Sequence, residues 1–183
     1  MPQLFAVQYD IVWEQKPLNH RHVMTMLEGH EPSPMPGSLI VLPEMFDVGF
    51  SLNADEMCEE ATDFASERWC ADLARHFNCF VQGASIRKAV GDGEKATNNA
   101  IIFNPDGEPI ARYEKIHPFS GGREPENYRG GTTLATFDWH GLTVCPFICY
   151  DLRFPEIFRL AAVEHGAELF TIRISMLLFL IGL

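Results

Sequence analysis

The stretch Ile148-Cys149-Tyr150-Asp151-Leu152-Arg153-Phe154-Pro155-Glu156 combines the end of an apolar strand with the beginning of a helix. Residues 142–149 are predicted to form a buried strand, and residues 154–164 a helix with Pro155 in its first turn. A side chain at such a corner lies beside backbone N–H groups, as in a nucleophile elbow. Cys149 is therefore a candidate nucleophile, although most cysteines of this kind are buried and unreactive.

The rest of the chain alternates predicted strands and helices, with hairpins in the middle. Strands are predicted at 4–9, 38–42, 79–86, 98–103, 110–114, 134–139 and 167–172, and helices at 16–27 and 61–77. Turn signals at 104–107 and 140–141 connect neighbouring strands. This order predicts one layered α/β domain whose helices cover the sheet faces.

The segment Gly91-Asp92-Gly93-Glu94-Lys95-Ala96 fits a Gly-x-Gly-x-x-Ala nucleotide-binding pattern. That pattern requires a strand before it and a helix after it, whereas a strand is predicted to follow here. We therefore interpret the segment as a hairpin loop and not as a cofactor site.

The composition excludes several functional classes. The 183 residues are 46% hydrophobic and 21% charged, with a formal net charge of -11. Such an acidic chain does not fit a nucleic-acid partner, which requires clustered Lys and Arg, or a basic helix on a membrane surface. Five cysteines, an odd number, without a secretory signal indicate reduced thiols in the cytoplasm. Their spacing lacks the paired ligands of a zinc site.

Two further reactive residues follow predicted strands. Glu44 comes after the strand at 38–42, and a partly buried carboxylate there is expected to have a raised pKa suited to accepting a proton. Lys115 ends the strand at 110–114, where an ammonium group would stabilise an oxyanion. Taken singly, each residue has an ordinary alternative, a solvated loop glutamate and a surface lysine.

Taken together, three motifs resemble the signatures of the nitrilase superfamily, the carbon–nitrogen hydrolases. They are Leu42-Pro43-Glu44-Met45-Phe46, Tyr113-Glu114-Lys115-Ile116-His117 and the stretch from Ile148 to Glu156. The resemblance extends over about residues 5–172. Its most distinctive part is Cys-Tyr-Asp-Leu-Arg-Phe-Pro-Glu.

The resemblance implies a four-layer α-β-β-α sandwich that forms a homodimer, and a mechanism without metal or organic cofactor. It implies that Glu44 is the general base, that Cys149 attacks the amide carbon, and that Lys115 holds the oxyanion with a backbone N–H near Tyr150. Many members have a second glutamate on the loop after the lysine.

Glu124 is the best match to that second glutamate, and Glu126 is the alternative. The motif around the cysteine is similar to that of omega-amidase-like members, which implies a small, carboxylate-bearing amide as the substrate. Arg153 could bind the substrate carboxylate, although an ion pair with Asp151 or Glu156 is the expected arrangement.

After residue 172 the resemblance ends. We expect a partial carbon–nitrogen hydrolase domain at 1–172 and an atypical apolar tail at 173–183, consistent with a C-terminally truncated product. The apolar run at its end is too short for a membrane span, which needs about 20 residues. The sequence leaves two alternatives open. One is an inactive fragment that acts as an interaction or aggregation-prone species, and the other is a hydrolase that uses Cys149 with His117.

Overall fold

Two β-sheets stack on each other in this computed structural model, which describes residues 2–59, 64–88 and 94–175. The first sheet has the order β1-β2-β3-β4-β5, formed by Leu4–Ala6, Leu39–Val41, Phe80–Arg87, Thr97–Phe103 and Pro109–Glu114. Its first three strands are parallel, and β3, β4 and β5 are antiparallel neighbours. The second sheet has the order β6-β7-β8, formed by Phe137–Trp139, Leu142–Ile148 and Leu169–Arg173.

Helices cover the outer face of each sheet. The helices are α1 (Lys16–Glu28), α2 (Ala54–Met57), α3 (Ala65–Phe77), α4 (Glu124–Asn127) and α5 (Pro155–His165). α1 and α3 pack on the first sheet through a core that includes Val23 and Leu73. α5 packs on the second sheet, where Ala161 lies in the same buried cluster as Phe147.

The two inner faces meet through a third apolar cluster. Leu39, Val41 and Ile102 of the first sheet pack there with Trp139 and Val144 of the second. Alternate side chains of a strand point to opposite faces, so each sheet can contact a helix layer and the other sheet at once. The result is the four-layer α-β-β-α sandwich that the motifs implied.

Element boundaries differ from the sequence-based predictions at several positions. β1 ends at Ala6 and β6 begins only at Phe137, so both are shorter than predicted. α2 and α4 were not predicted, because a four-residue helix is too short to show a 3.6-residue period. The start of the predicted helix at 61–63, the first half of the hairpin loop at 91–93 and the apolar run at 176–183 lie outside the described residues.

β8 connects the second sheet to the first through polar side chains. Thr171 Oγ1 donates to Gln82 Oε1 at 2.7 Å. Arg173 is buried and donates to the backbone oxygens of Gly83 at 2.7 Å and Asn99 at 3.0 Å. Burial lowers the pKa of Arg173 to about 10. Arg173 therefore belongs to the sheet, one residue beyond the predicted end of this strand; the domain boundary at residue 172 stays a prediction.

Candidate active site

The side chains of three strand ends meet at one edge of the two sheets. Glu44 follows β2, Lys115 immediately follows β5 and Cys149 immediately follows β7. Lys115 Nζ lies 2.8 Å from Glu44 Oε1, although the two residues are 71 positions apart in the sequence. The fold therefore brings together residues that the motifs identified separately.

Lys115 lies between two buried carboxylates. Its ammonium group also lies 2.7 Å from Glu124 Oε2, and the lysine side chain is only 1% exposed while both glutamate side chains are fully buried. Neither the surface-lysine nor the solvated-glutamate alternative applies. A buried ammonium with two carboxylate partners is fixed in position, because breaking either pair leaves an uncompensated charge.

The carboxylate of Glu44 accepts hydrogen bonds at both oxygens. Oε1 accepts from Lys115 and from Asn98 Nδ2 at 2.9 Å, and Oε2 accepts from the Ser175 hydroxyl at 3.1 Å and backbone N–H at 3.3 Å. Burial acts to raise the pKa of Glu44, but the charge of Lys115 and these donors together outweigh it and lower the pKa. The raised pKa expected from the sequence is therefore wrong, because each of these partners stabilises the ionised form.

Glu124 is the second carboxylate of this cluster. It belongs to α4, and its Oε2 also accepts the backbone N–H of Phe119 at 2.6 Å. Burial raises the pKa of Glu124, and the negative charge of Glu44 adds to this, against the opposing effect of Lys115. The structure places Glu124 beside Lys115, whereas Glu126 is exposed and pairs with Arg123 at 2.6 Å.

Cys149 occupies the corner predicted from the sequence. Its φ is 49°, in the left-handed region that costs a non-glycine residue about 1–2 kcal/mol. The residue begins a 3-10 turn, Cys149–Arg153, which leads into α5. Burial and the charge of Glu44 raise the pKa of the thiol, and Lys115 lowers it only in part. At neutral pH the sulfur therefore carries its proton in the resting state.

Asp151 connects the cysteine corner to the segment that follows Lys115. Its buried carboxylate accepts from the Tyr113 hydroxyl at 2.7 Å, the Ile148 N–H at 3.1 Å, the His117 N–H at 3.0 Å and contacts His117 Nδ1 at 2.9 Å. Four contacts from both sides of the cluster hold Cys149 and Lys115 in a fixed relation. The His117 ring also stacks on the Phe154 ring, with 3.6 Å between the ring centroids.

The two remaining predicted site residues lie in the 3-10 turn. The half-buried Tyr150 ring packs against the rings of Phe119 and Phe154, with centroid distances of 5.0 and 5.4 Å. Arg153 is exposed, and within the described residues it forms no ion pair with Asp151 or Glu156. The Asp151 carboxylate instead accepts hydrogen bonds from β5, β7 and the segment after Lys115.

Asn98 and Ser175 were not predicted as residues of this site, and neither was the role of Asp151 in connecting the cysteine corner to the segment after Lys115. Asn98 lies in β4, in which every residue is buried, so a polar residue inside a predicted buried strand was the available signal. No feature of the sequence pointed to Ser175.

Among the described residues no group of three or more His, Cys, Asp or Glu side chains could hold a metal ion. No helix in the described ranges is long and apolar enough to cross a membrane.

The α-β-β-α sandwich is the fold of solved nitrilase-superfamily structures. The chain aligns with XC1258 of Xanthomonas campestris, a CN-hydrolase superfamily protein, with a TM-score of 0.80 and 26% identity over 93% of this chain and 63% of that one. It aligns with Nit3 of Saccharomyces cerevisiae, a nitrilase-superfamily member, with a TM-score of 0.78 and 27% identity over 94% of this chain and 64% of that one.

The chain belongs to the carbon–nitrogen hydrolase family, whose model matches residues 4–178. It is 35% identical to omega-amidase YafV of Yersinia enterocolitica over 84% of this chain and 56% of that protein. It is 26% identical to 2-oxoglutaramate amidase of Bacillus subtilis over 90% of this chain and 62% of that protein. The chain thus spans somewhat more than half the length of these curated relatives.

Proposed function

We propose that this chain carries the active site of an amidase that cleaves the C–N bond of a small amide through a cysteine thioester and releases ammonia. The observation that carries the proposal is the Lys115 ammonium held between two buried carboxylates beside a thiol in a strained strand-to-helix corner. The chain spans 56% of the length of its relative YafV, so activity and substrate are proposed here for the protein that contains this site.

The first step is proton transfer from Cys149 to Glu44. The pKa of the thiol is raised and that of Glu44 is lowered, so the resting pair consists of a thiol and a carboxylate. The thiol must lose its proton as the sulfur attacks, because only the thiolate is nucleophilic. Glu44 accepts this proton while the S–C bond forms and the carbonyl π electrons move to oxygen.

The tetrahedral intermediate then collapses. Lys115 and a backbone N–H near Tyr150 stabilise the oxyanion, and electrostatic stabilisation of this kind is often the largest catalytic contribution. The oxyanion electrons re-form the C=O bond, the C–N bond breaks, and protonated Glu44 gives its proton to the departing ammonia. Water, activated by Glu44, adds to the thioester and releases the acid and the free thiol.

Glu124 positions Lys115 in this scheme. It holds the ammonium at 2.7 Å, and it is itself held by the Phe119 N–H. The two carboxylates keep the Lys115 ammonium group in place when the tetrahedral intermediate collapses and the oxyanion becomes a carbonyl again. The Cys149–His117 alternative is disfavoured because it gives Glu44 and Lys115 no role, whereas the charged groups that act most strongly on the Cys149 thiol are Glu44, Lys115 and Glu124.

A small amide that bears a carboxylate is the proposed substrate class. Support comes from the printed activities of the relatives, omega-amidase and 2-oxoglutaramate amidase. Arg153 is an exposed cation four residues from Cys149 and is the proposed partner of the substrate carboxylate. A homodimer and a cytoplasmic location complete the proposal, from the family resemblance and the reduced cysteines.

The test measures ammonia release from carboxylate-bearing terminal amides, aliphatic amides and nitriles in parallel. We expect the carboxylate-bearing amides to react fastest, and Arg153→Ala to raise KM for them more than for neutral amides. A preference for nitriles would refute the substrate class. If iodoacetamide labels Cys149 but no amide is hydrolysed, the alternative of an inactive fragment would be favoured instead.

A further inference from the structure

Asn98 lies between the two buried glutamates of the site. Its side-chain nitrogen is 2.9 Å from Glu44 Oε1 and 3.1 Å from Glu124 Oε1. An amide NH₂ group has two hydrogens, so one residue can donate to both carboxylates at once. Asn98 thus bridges the same two side chains that Lys115 bridges, and it does so without adding charge.

This placement of Asn98 is costly for the fold. The residue is 2% exposed on β4, a central strand of the first sheet, and its Oδ1 has no hydrogen-bond partner among the described residues. A buried acceptor without a partner costs stability, and an apolar residue of similar shape would avoid that cost. The hydrogen bonds from Nδ2 to the two carboxylates are interactions that an apolar residue at this position could not form.

We propose that Asn98 is a positioning residue that holds Glu44 and Glu124 at a fixed separation and thereby controls proton acceptance by Glu44. The inference rests on the proposed function, because proton acceptance by Glu44 is a step of that reaction. Nothing in the three family motifs includes this residue.

The direction of the effect follows from the groups around Glu44. The charged and titratable groups that act with it come from four elements or their ends: Lys115 after β5, Glu124 on α4, Cys149 after β7 and Arg173 on β8. The Asn98 donor is among the causes that lower the pKa of Glu44. Removal of the donor therefore raises this pKa, and a higher pH is then needed to ionise the base.

The experiment measures the rate of Cys149 alkylation by iodoacetamide as a function of pH, with mass spectrometry to confirm the site. In Asn98→Leu we expect the acidic limb of the profile to move up by about one pH unit, as fits the loss of a hydrogen bond to a charged group. Asn98→Asp, which keeps the shape but loses both N–H donors, should move the limb in the same direction. In the amide assay kcat/KM should fall about tenfold at the pH of the parent's limb, mainly through kcat.

The neighbouring Asn99 offers a matched control. It is fully buried on the same strand, its Oδ1 also lacks a partner among the described residues, and its amide donates to Thr97 and not to the site. Asn99→Leu should lower Tm but leave the acidic limb in place. An unshifted limb in both folded Asn98 variants, or an equal shift in Asn99→Leu, overturns the inference.

Alkylation does not require turnover, so the two proposals fail separately. A shifted limb in a protein that hydrolyses no amide would support the positioning role and refute the amidase proposal. Normal hydrolysis with an unshifted limb in the Asn98 variants would do the reverse.

Discussion

Two side-chain clusters of this molecule have the same composition, one lysine, two carboxylates and one cysteine, but they differ in how the lysine is held and in where the thiol lies. The helix cluster contains Lys16, Asp47, Glu59 and Cys70, and the strand-end cluster contains Lys115, Glu44, Glu124 and Cys149. Any difference in chemistry between the two clusters must therefore come from their geometry and not from their residue types.

The first difference is how closely the lysine is held. In the helix cluster Lys16 Nζ lies 3.7 Å from Asp47 and 3.3 Å from Glu59, and its side chain is 23% exposed. One oxygen of each of these carboxylates has no hydrogen-bond partner among the described residues. In the strand-end cluster both carboxylates accept bonds at both oxygens.

The second difference is the position of the thiol. Cys70 lies inside α3, is 1% exposed, and contacts the backbone of Gly83 so closely that a Cβ there would collide with its sulfur. Burial raises the pKa of this thiol well above its usual value. Cys149 is partly exposed at a corner with φ of 49°. A substrate carbonyl can approach a thiol at such a strand end but not one under a helix.

The largest expected effect separates the two cysteines. Cys149→Ala should reduce turnover to background, a loss on the order of 10⁶-fold as for other nucleophile deletions, because no thioester can form. Cys70→Ala should keep turnover within about twofold and cost about 1 kcal/mol of unfolding free energy. Ammonia release measures the turnover of each variant, and thermal melting measures its stability. Substantial activity in Cys149→Ala would refute the proposed mechanism.

An intermediate effect separates the two lysines. Lys115→Met removes an oxyanion donor, for which we expect about 10²–10³-fold lower kcat, and it leaves buried carboxylates unpaired at about 3–5 kcal/mol. Lys16→Met should retain turnover and cost about 1–3 kcal/mol, because its pairs are longer and partly solvated. Parallel kcat and urea-unfolding measurements decide. Equal losses of kcat in both variants would contradict the distinction between the clusters.

The smallest expected effect is a gain in stability at Asp47. Burial raises the pKa of this carboxyl in the folded state, so its ionisation opposes folding once the pH exceeds the unfolded-state pKa of about 4. Asp47→Asn should therefore raise Tm by a few degrees, for about 1 kcal/mol, at neutral pH. The advantage should shrink as the pH falls towards that value. A lower Tm in Asp47→Asn at neutral pH would show that the charge stabilises the helix cluster.

Most of the site was accessible from sequence because its residues lie at strand ends within short motifs. The apolar runs before Glu44, Lys115 and Cys149 define those ends, since a run of buried residues must be followed by a loop that carries polar groups. The strand-to-helix corner at Cys149 could be predicted from the sequence for the same reason. Fold class followed from the alternation of strands and helices together with the motifs.

Contacts across the sheets were not accessible in this way. The choice between Glu124 and Glu126 depends on which of them turns inward on α4, a four-residue helix with no period to read. The bridging role of Asn98 depends on two carboxylates 54 and 26 positions away. Neither relation leaves a local signal, because both are set by how β4, β5 and the loops pack.

The sequence by itself determined the family, the three motif residues and the order of the strands and of the helices α1, α3 and α5, since each rests on local patterns of residue type. The tertiary structure alone decided the protonation of the site. The pKa of Glu44 falls below its usual value because Lys115, Asn98 and Ser175 all place donors on it. Electrostatic energies depend on distances of a few ångströms between residues that are far apart in the chain, and only the folded arrangement defines those distances.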